Sequence, residues 1–597
     1  MNTVADLLKC LKTYQAYIGR RIYIVFVLSV LASLTEGFGI ALLLPLIRAT
    51  QGSGEVDGTA QEYMYAFLQR IGIADSVVGI LIFIGIVFVG KGLLKFAQGG
   101  YKSYLQAQLL RELKIGLFDE YGTMDYRYYI QRSTGHFINV INDQIRGFYN
   151  SFNFFSGFLS QVISAVSYFA IAFVVAWRFA LSAVIVGAVL LFLFKYLNQY
   201  VRTLGEMASQ EMSHLNKLLV QALRSFKYVV ATGQVDQLRG GVVDSVHRLT
   251  GYKMRAKLAR AFTGSIKEPV SVLFIVSVIA VQVAVFEAAI APLFVALLLF
   301  HRGIQTTISV QSSWQNVMNK MGPLEMVVDE FDTLEAHREE DGTVELGPLR
   351  DGIELRNVQY AYDEDEGDVL HDINMTISAN TTVALVGESG AGKSTLVDLL
   401  TLMLRPRTGE VFIDGVPGSE VALDSWRSQI GYVSQQTVVF DDTVANNISL
   451  WAGENGPPGA VQERIEDAAR RAHAHHFIEE LPGGYQTVVG DRGVRLSGGQ
   501  KQRLFVAREL FKQPNLLLLD EATSDLDTTS EQHIQDSVDA LQGEVTVVII
   551  AHRLSTVKNA DQVYVLDKGR VVEEGAYHEL RAREDGQFRE MVEMQSL

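Results

Sequence analysis

At 597 residues the chain is too long for one folding unit, and 48% hydrophobic content with a mean hydropathy of +0.16 is high for a soluble protein. The net charge of −15 averages two unlike parts: residues 1–330 hold 29 Lys+Arg against 20 Asp+Glu, and residues 331–597 hold 23 against 47. The acidic part repels a phosphate backbone, which excludes nucleic acid as the main partner, and the lone Cys10 excludes an intrachain disulfide and gives no sign of an oxidising compartment.

A membrane span needs about 20 mainly apolar residues. Six runs qualify: 22–47, 77–96, 152–176, 179–197, 270–286 and 290–308. The first is too long for the apolar core of a cleaved signal peptide and no cleavage box follows it, so it reads as the first membrane helix. Little more than Trp177-Arg178 separates the third and fourth runs, and the fifth and sixth meet near Glu287. Each pair is therefore expected to form a hairpin. Lys and Arg crowd three segments. Lys9, Lys12, Arg20 and Arg21 precede helix one; Lys102, Arg111, Lys114, Arg127, Arg132 and Arg146 separate helices two and three; eleven more separate four and five. The positive-inside rule then puts both termini, and all that follows helix six, on the cytoplasmic side of a cytoplasmic (inner) membrane.

Ionisable groups inside spans are costly and point to function. Here they are Glu36 on helix one, Lys91 and Lys95 on helix two, and His301 and Arg302 on helix six. Counted from the ends of the apolar runs, Lys91 lies ~7–8 Å and Arg302 ~9 Å above the cytoplasmic edge, but Glu36 ~21 Å. On that count Glu36 is too far away to neutralise the cations. In a dimer the cations would make a basic belt at inner-leaflet headgroup level, suited to an anionic headgroup gripped bidentately by Arg302. The plainer alternative has Lys95 snorkelling to the interface and Arg302 meeting a backbone carbonyl or a lipid phosphate.

The long basic segments read as helical extensions of the spans. Bends at 121–135 and 224–233 are the places where they would touch an attached domain. From about Ile353 the pattern becomes α/β, with strand-like runs at 382–386, 516–519 and 545–550. Gly387-Glu388-Ser389-Gly390-Ala391-Gly392-Lys393-Ser394 fits the phosphate-loop pattern between a strand and a helix. Its glycines let backbone N–H groups approach phosphates, Lys393 reaches the outer phosphates, and the Ser394 hydroxyl suits Mg²⁺. The run 516–519 delivers two carboxylates: Asp520 suits the Mg²⁺ shell, and Glu521 is placed to polarise an attacking water. His473, His475 and His476 on an expected helix do not share a face, so a solvated surface is preferred to a metal site.

Leu496-Ser497-Gly498-Gly499-Gln500 resembles the signature motif of ATP-binding cassette (ABC) proteins. The resemblance runs from 353 to about 590 and implies further roles. Tyr362 matches the aromatic that stacks on adenine. Thr395 continues the phosphate loop, and Gln435 matches the glutamine that senses Mg²⁺. Ser497, Gly498, Gly499 and Gln500 would close over ATP held by another subunit. Asp527 matches a loop that crosses the dimer interface, and His552 a γ-phosphate contact. Residues 487–493 resemble an exporter cross-linking loop, with Asp491 where Glu is usual; Asp525 stands where Ala is usual. Residues 134–143 resemble the segment after the first coupling helix of exporters. Thr35-Glu36-Gly37-Phe38-Gly39-Ile40 through Leu44-Pro45 looks like the start of bacterial flippases for lipid-linked oligosaccharides and related glycolipid exporters.

The chain thus resembles an exporter-type ABC half-transporter. The expected fold is an α-helical membrane domain of six transmembrane helices with long cytoplasmic extensions (1–335), then an α/β P-loop ATPase domain with a helical subdomain (336–597). ATP and Mg²⁺ are the implied cofactors. A second identical chain, membrane lipid and an amphipathic substrate, such as an anionic glycolipid, are the implied partners. Multidrug, lipid or peptide export is the alternative. An ATP-gated channel is disfavoured by the full set of hydrolysis residues, and a soluble nucleic-acid ATPase by the spans.

Overall fold

The structure is a computed structural model. It describes residues 3–595 except 44, 47–58, 287–289, 319, 364–366, 436, 453–458, 491–492, 494–495, 521–527 and 552, and through most of 172–202 and 278–300 it describes the backbone alone. Contacts divide the chain into two units, Met1–Gly122 with Ser133–Ala336, and Thr123–Arg132 with His337–Leu597.

Among the described residues the first unit is helical. Its elements are α1 (Thr3–Ile18), α2 (Ile22–Ala41), α3 (Thr59–Ile71) and α4 (Val77–Gly122); then, after the short α5 (Tyr126–Ile130) that packs with the second unit, α6 (Thr134–Asn139), α7 (Ile145–Arg224), α8 (Phe226–Ala231), α9 (Val235–Phe286), α10 (Ile290–Met318) and α11 (Met321–Ala336). Among the described residues three stretches are long and apolar enough to cross a membrane: Leu7–Ala41, Val77–Gly122 and Thr134–Ile171. The backbone of 179–197, 270–286 and 290–308 is helical as well.

One expectation is corrected. The turn at Trp177-Arg178 is absent, and α7 runs through it as an uninterrupted helix of 80 residues. No glycine or proline stands between Gly157 and Gly187, so nothing local terminates the helix. The connection near Glu287 lies outside the described residues.

Side-chain pairs fix how the membrane helices lie against one another. The α2 and α4 helices are antiparallel, with Gln98 donating to Ser29 at 2.7 Å and Phe88 packed on Gly39. Below α2, Arg21 reaches Gln108 at 2.9 Å. The α2 and α7 helices are parallel: Ser29 meets Ser160 at 2.9 Å and Ser33 meets Ser164 at 2.7 Å. The α7 and α10 helices are antiparallel, with Phe158 against Trp314 and Phe169 against Gly303. Hydroxyls spaced by four residues suit such a seam. Ser29 also donates to the Val25 carbonyl one turn back, and Ser160 to that of Ser156, so these hydroxyls do not face hydrocarbon unpaired.

The second unit holds two sheets. Strands β1 (Gly352–Tyr360), β2 (Leu370–Ser378), β4 (Thr408–Ile413) and β5 (Val416–Pro417) form an antiparallel sheet in the order β2-β1-β4-β5. Strands β3 (Thr382–Gly387), β6 (Ile430–Val433), β7 (Leu516–Asp520), β8 (Thr546–Ile550), β9 (Gln562–Asp567) and β10 (Arg570–Gly575) form the other, in the order β10-β9-β3-β8-β7-β6. From β9 to β6 all pairs are parallel. The central strands are apolar on both faces; all five residues of β8 are buried, as a parallel sheet covered on both sides requires. The α5 helix is bound into this unit by backbone. Asp125 N donates to His337 O at 2.8 Å and Glu339 N to Thr123 O at 2.9 Å, and the Asp125 side chain caps α5 through Arg127 N. An Arg427–Glu339 ion pair then anchors the same linker.

Gly147, on α7, faces the Pro323 ring of α11, and a Cβ there would lie 2.8 Å from Pro323 Cγ, a rigid neighbour. Gly147→Leu should therefore destabilise by about 1–3 kcal/mol, read as a lowered thermal transition of the detergent-solubilised protein. Gly100→Leu, where an added Cβ would have nothing within 4 Å, should leave the transition nearly unchanged.

Candidate functional site

The parallel sheet brings the residues expected to handle phosphate to one edge. In register, Leu385 of β3 faces Ile550 of β8, which faces Asp520 of β7, while Val433 of β6 faces Leu519. The segments that leave these strands start side by side: the loop from Gly387, the acidic end of β7, and Ser434-Gln435 after β6. Ligands bind at this carboxyl edge in open parallel sheets. Gly392 leads into α12 (Lys393–Leu400) at φ 98°, and a Cβ there would meet Leu370 Cδ2 at 2.6 Å, so only glycine fits. Gly390 also has positive φ. The α12 N-terminus, with Ser394 exposed and Lys393 buried, presents the N–H groups and dipole that favour a phosphate. The Lys393 ammonium donates to the Gly387 and Glu388 carbonyls, both at 2.8 Å. Anionic phosphate oxygens are stronger acceptors and would take those protons.

Tyr362 stands half-buried beside this loop, its hydroxyl sharing a 3.0 Å hydrogen bond with Thr395. Tyr432 OH reaches toward Asp520 at 3.5 Å. Asp398, on α12 and not singled out from the sequence, lies among Tyr126, Tyr362, Tyr432 and Asp520. Burial, and then the negative Asp520, push its carboxyl up to about 7. Tyr126, from α5, therefore stands beside both Tyr362 and Tyr432.

Ser497 caps helix α13 (Gly498–Phe511) in a reciprocal capping box. Gln500 N donates to Ser497 Oγ at 3.3 Å, and Ser497 N donates to Gln500 Oε1 at 2.9 Å. Gly498 has nothing within 4 Å of its missing Cβ, so the helix N-terminus stays open on that side. Sequence reasoning missed Arg508. It is 3% exposed and donates to the Asn447 carbonyl (2.7 Å), Asn447 Oδ1 (3.0 Å) and the Val438 carbonyl (2.7 Å), tying α13 to the segment after Gln435. An arginine on the apolar face of 504–511 was the available signal. Glu521, Asp527 and His552, with Asp491 and Asp525, lie outside the described residues. His473 is not on a helix as expected. It has φ 51° and precedes the helix His475–Glu479, while His475 bonds Tyr485 at 2.7 Å.

The membrane half holds a second constellation, and here a sequence expectation fails. Glu36, far from being out of reach, pairs with Lys91 at 2.9 Å and with Lys95 at 3.6 Å. The error lay in measuring height from the ends of apolar runs. The α4 helix continues well beyond Phe96, and Arg21 meets Gln108, so the apolar runs of α2 and α4 do not end at one level. Glu36 also hydrogen-bonds Tyr168, which lies in the field of Arg302. The structure thus brings Lys91 and Lys95 to Glu36, and Glu36 to Tyr168, on which the charge of Arg302 also acts, with His301 adjacent to Arg302 in sequence and partly exposed. On another face of the α2–α4 pair lies an apolar groove of about 780 Å³, lined by Leu34, Phe38, Leu93 and Leu94 among others.

The Asp398 shift is upward, so the folded state holds a proton that the unfolded chain releases. Its stabilising effect is complete below pH 3.8 and is lost as pH rises through about 7. In Asp398→Asn this loss should be absent. The variant's thermal transition in EDTA should fall less than that of the wild type between about pH 5 and about pH 8. Parallel curves for the two proteins would contradict the assignment.

Residues 370–524 match the family described as ABC transporter, and residues 22–307 match the ABC transporter transmembrane region. An ATP-dependent lipid A-core flippase of Vibrio cholerae is 32% identical over 90% of this chain and 94% of its own length. One from Hahella chejuensis is 30% identical over 98% and 99%. The heterocyst differentiation ATP-binding protein HepA of a Nostoc species is 31% identical over 82% and 80%. A bacterial Atm1-family ABC exporter, solved with ATP bound, superposes with a TM-score of 0.78 over 97% of this chain and 99% of that one; at 24% identity it shows the shared fold. The chain belongs to the ATP-binding cassette transporter family, as an exporter-type half-transporter that couples ATP hydrolysis to transport across a membrane.

Proposed function

We propose that two copies of this chain form an exporter that flips an anionic lipid-linked glycan or glycolipid across the cytoplasmic membrane. The substrate class rests on one observation: Lys91 and Lys95 of α4 pair with Glu36 of α2, and Arg302 of α10, beside the Gly303–Phe169 contact, acts on Tyr168 of α7, which bonds the same Glu36. Relatives named as lipid A-core flippases support the reading. In it the ATPase unit (336–597) is cytoplasmic. The apolar groove between α2 and α4 favours a second reading, export of an uncharged hydrophobic amphiphile.

In the ATPase unit, Tyr362 stacks on adenine, and Gly387, Gly390, Gly392, Lys393 and Thr395 line the phosphates. Ser394, Gln435 and Asp520 are the residues that would hold Mg²⁺, an ion that supplies charge neutralisation at the phosphates. The oxygen donors at one sheet edge suit that hard cation. Glu521 polarises the attacking water, His552 contacts the γ-phosphate and Asp527 crosses to the partner. Ser497, Gly498, Gly499 and Gln500 act on the ATP of the second copy, through an open helix N-terminus. One phosphate loop and one intact signature per chain make an identical partner the simplest arrangement. The exposed apolar residues of and beside α8, Leu223, Phe226, Tyr228 and Val230, are surface that a second copy would cover.

Glu521→Gln should abolish turnover and leave ATP bound in a stable closed dimer. Mass spectrometry of lipids co-purifying with that variant should find an anionic glycolipid. Wild-type-like ATPase would remove Glu521 from its role, and only neutral lipids or drug-like amphiphiles would favour the second reading.

A further inference from the structure

The intramembrane level around Tyr168 sets one carboxylate against three cations. Glu36 has a side chain only 8% exposed and Lys91 only 13%, whereas Lys95 is 58% exposed and Arg302 is exposed. The three cations are therefore held unequally. Lys91 makes a close pair at 2.9 Å, and Lys95 lies at 3.6 Å, too long for a hydrogen bond. Among the described residues no carboxylate pairs with Arg302. An excess of positive charge in a weakly screened setting attracts an anion strongly. The exposed cations it can reach are Lys95 and Arg302, and among the described residues Glu36 is the carboxylate it must displace.

We propose that Glu36 is an exchangeable counter-ion. It holds Lys91 and Lys95 while no substrate is bound, and it yields Lys95 to the phosphate oxygens of an anionic lipid headgroup that Arg302 also grips. The inference rests on the transport reading above and adds selectivity and release to it. A neutral headgroup offers no charge with which to displace a carboxylate. When the headgroup departs, Glu36 returns to Lys95, so release does not leave that cation bare. Tyr168, which donates to Glu36, holds the carboxylate near Lys91 during the exchange.

The test uses the full-length protein in nanodiscs of phosphatidylcholine with a rising fraction of phosphatidylglycerol. The readout is ATPase rate relative to each protein's own rate in pure phosphatidylcholine. Wild type should be stimulated with a measurable midpoint. Removing the competitor in Glu36→Gln should lower that midpoint on the order of tenfold, equivalent to about 1.4 kcal/mol. Glu36→Asp, which keeps the charge but shortens its reach to Lys95, should shift it the same way by less and covers the case in which the glutamine variant fails to fold. Glu36→Gln combined with Lys91→Met should stay near the shifted midpoint, because Lys95 and Arg302 make the grip. Soluble pyrophosphate at matched charge should not stimulate; stimulation by it would move the site from a lipid headgroup to a free anion and overturn the proposal. If wild type responds but both Glu36 variants overlay it, the counter-ion role is wrong while the anionic-lipid reading stands. If wild type is not stimulated by phosphatidylglycerol at all, that reading fails and the inference falls with it.

Discussion

The membrane half depends on the ion pair between Glu36 and Lys91. A carboxylate that is 8% exposed inside a span persists only with a cation at contact distance, because removing one partner of a buried pair leaves a charge that costs about 3–5 kcal/mol. That requirement fixes α2 and α4 antiparallel in a single register. The serine ladder then holds α7 parallel to α2 in the same frame, with Ser33 on Ser164 one turn below Glu36 on Tyr168. The α10 helix, packed on α7 through Gly303 and Phe169, brings Arg302 to the same level. Packing, hydrogen bonding and charge therefore specify one arrangement, and its product, among the described residues, is a set of cations with the carboxylate of Glu36 built in.

The ATPase half meets a different constraint with the same economy of means. Parallel strands in the order β3-β8-β7-β6 end together, so residues far apart in sequence, from Gly387 to Asp520, reach one edge. Buried polar groups connect that edge to its surroundings. Arg508 joins the signature helix to the segment after Gln435 through three carbonyl-type acceptors. Tyr126, carried by the short helix between α4 and α6, sits beside Tyr362 and Tyr432.

Much of the ATPase half was legible because its chemistry is encoded in contiguous residues. A glycine loop between a strand and a helix, or a serine and glutamine three apart at a helix start, states its own local geometry. Gly392 at positive φ is a direct reading of that kind. What was not legible depends on partners distant in sequence. The Glu36–Lys91 pair was missed because apolar runs were taken to end at one level, whereas α4 continues as a stalk and sets its own register against α2. The uninterrupted α7 was missed because a short polar break, Trp177-Arg178, was read as a turn although neither residue stops a helix. Asp398 and Arg508 carry no motif, since a lone charge on a helix says nothing about burial until the fold surrounds it.

The central claim is that ATP hydrolysis by this chain moves an anionic amphiphile from one leaflet to the other. Its most direct test is transbilayer movement of a fluorescent phosphatidylglycerol in proteoliposomes of the full-length protein, scored by the fraction reducible from outside, alongside the same label on net-neutral phosphatidylcholine. The account predicts ATP-dependent redistribution of the anionic probe with little movement of the neutral one. Equal movement of both probes, or redistribution that proceeds without ATP, would contradict it.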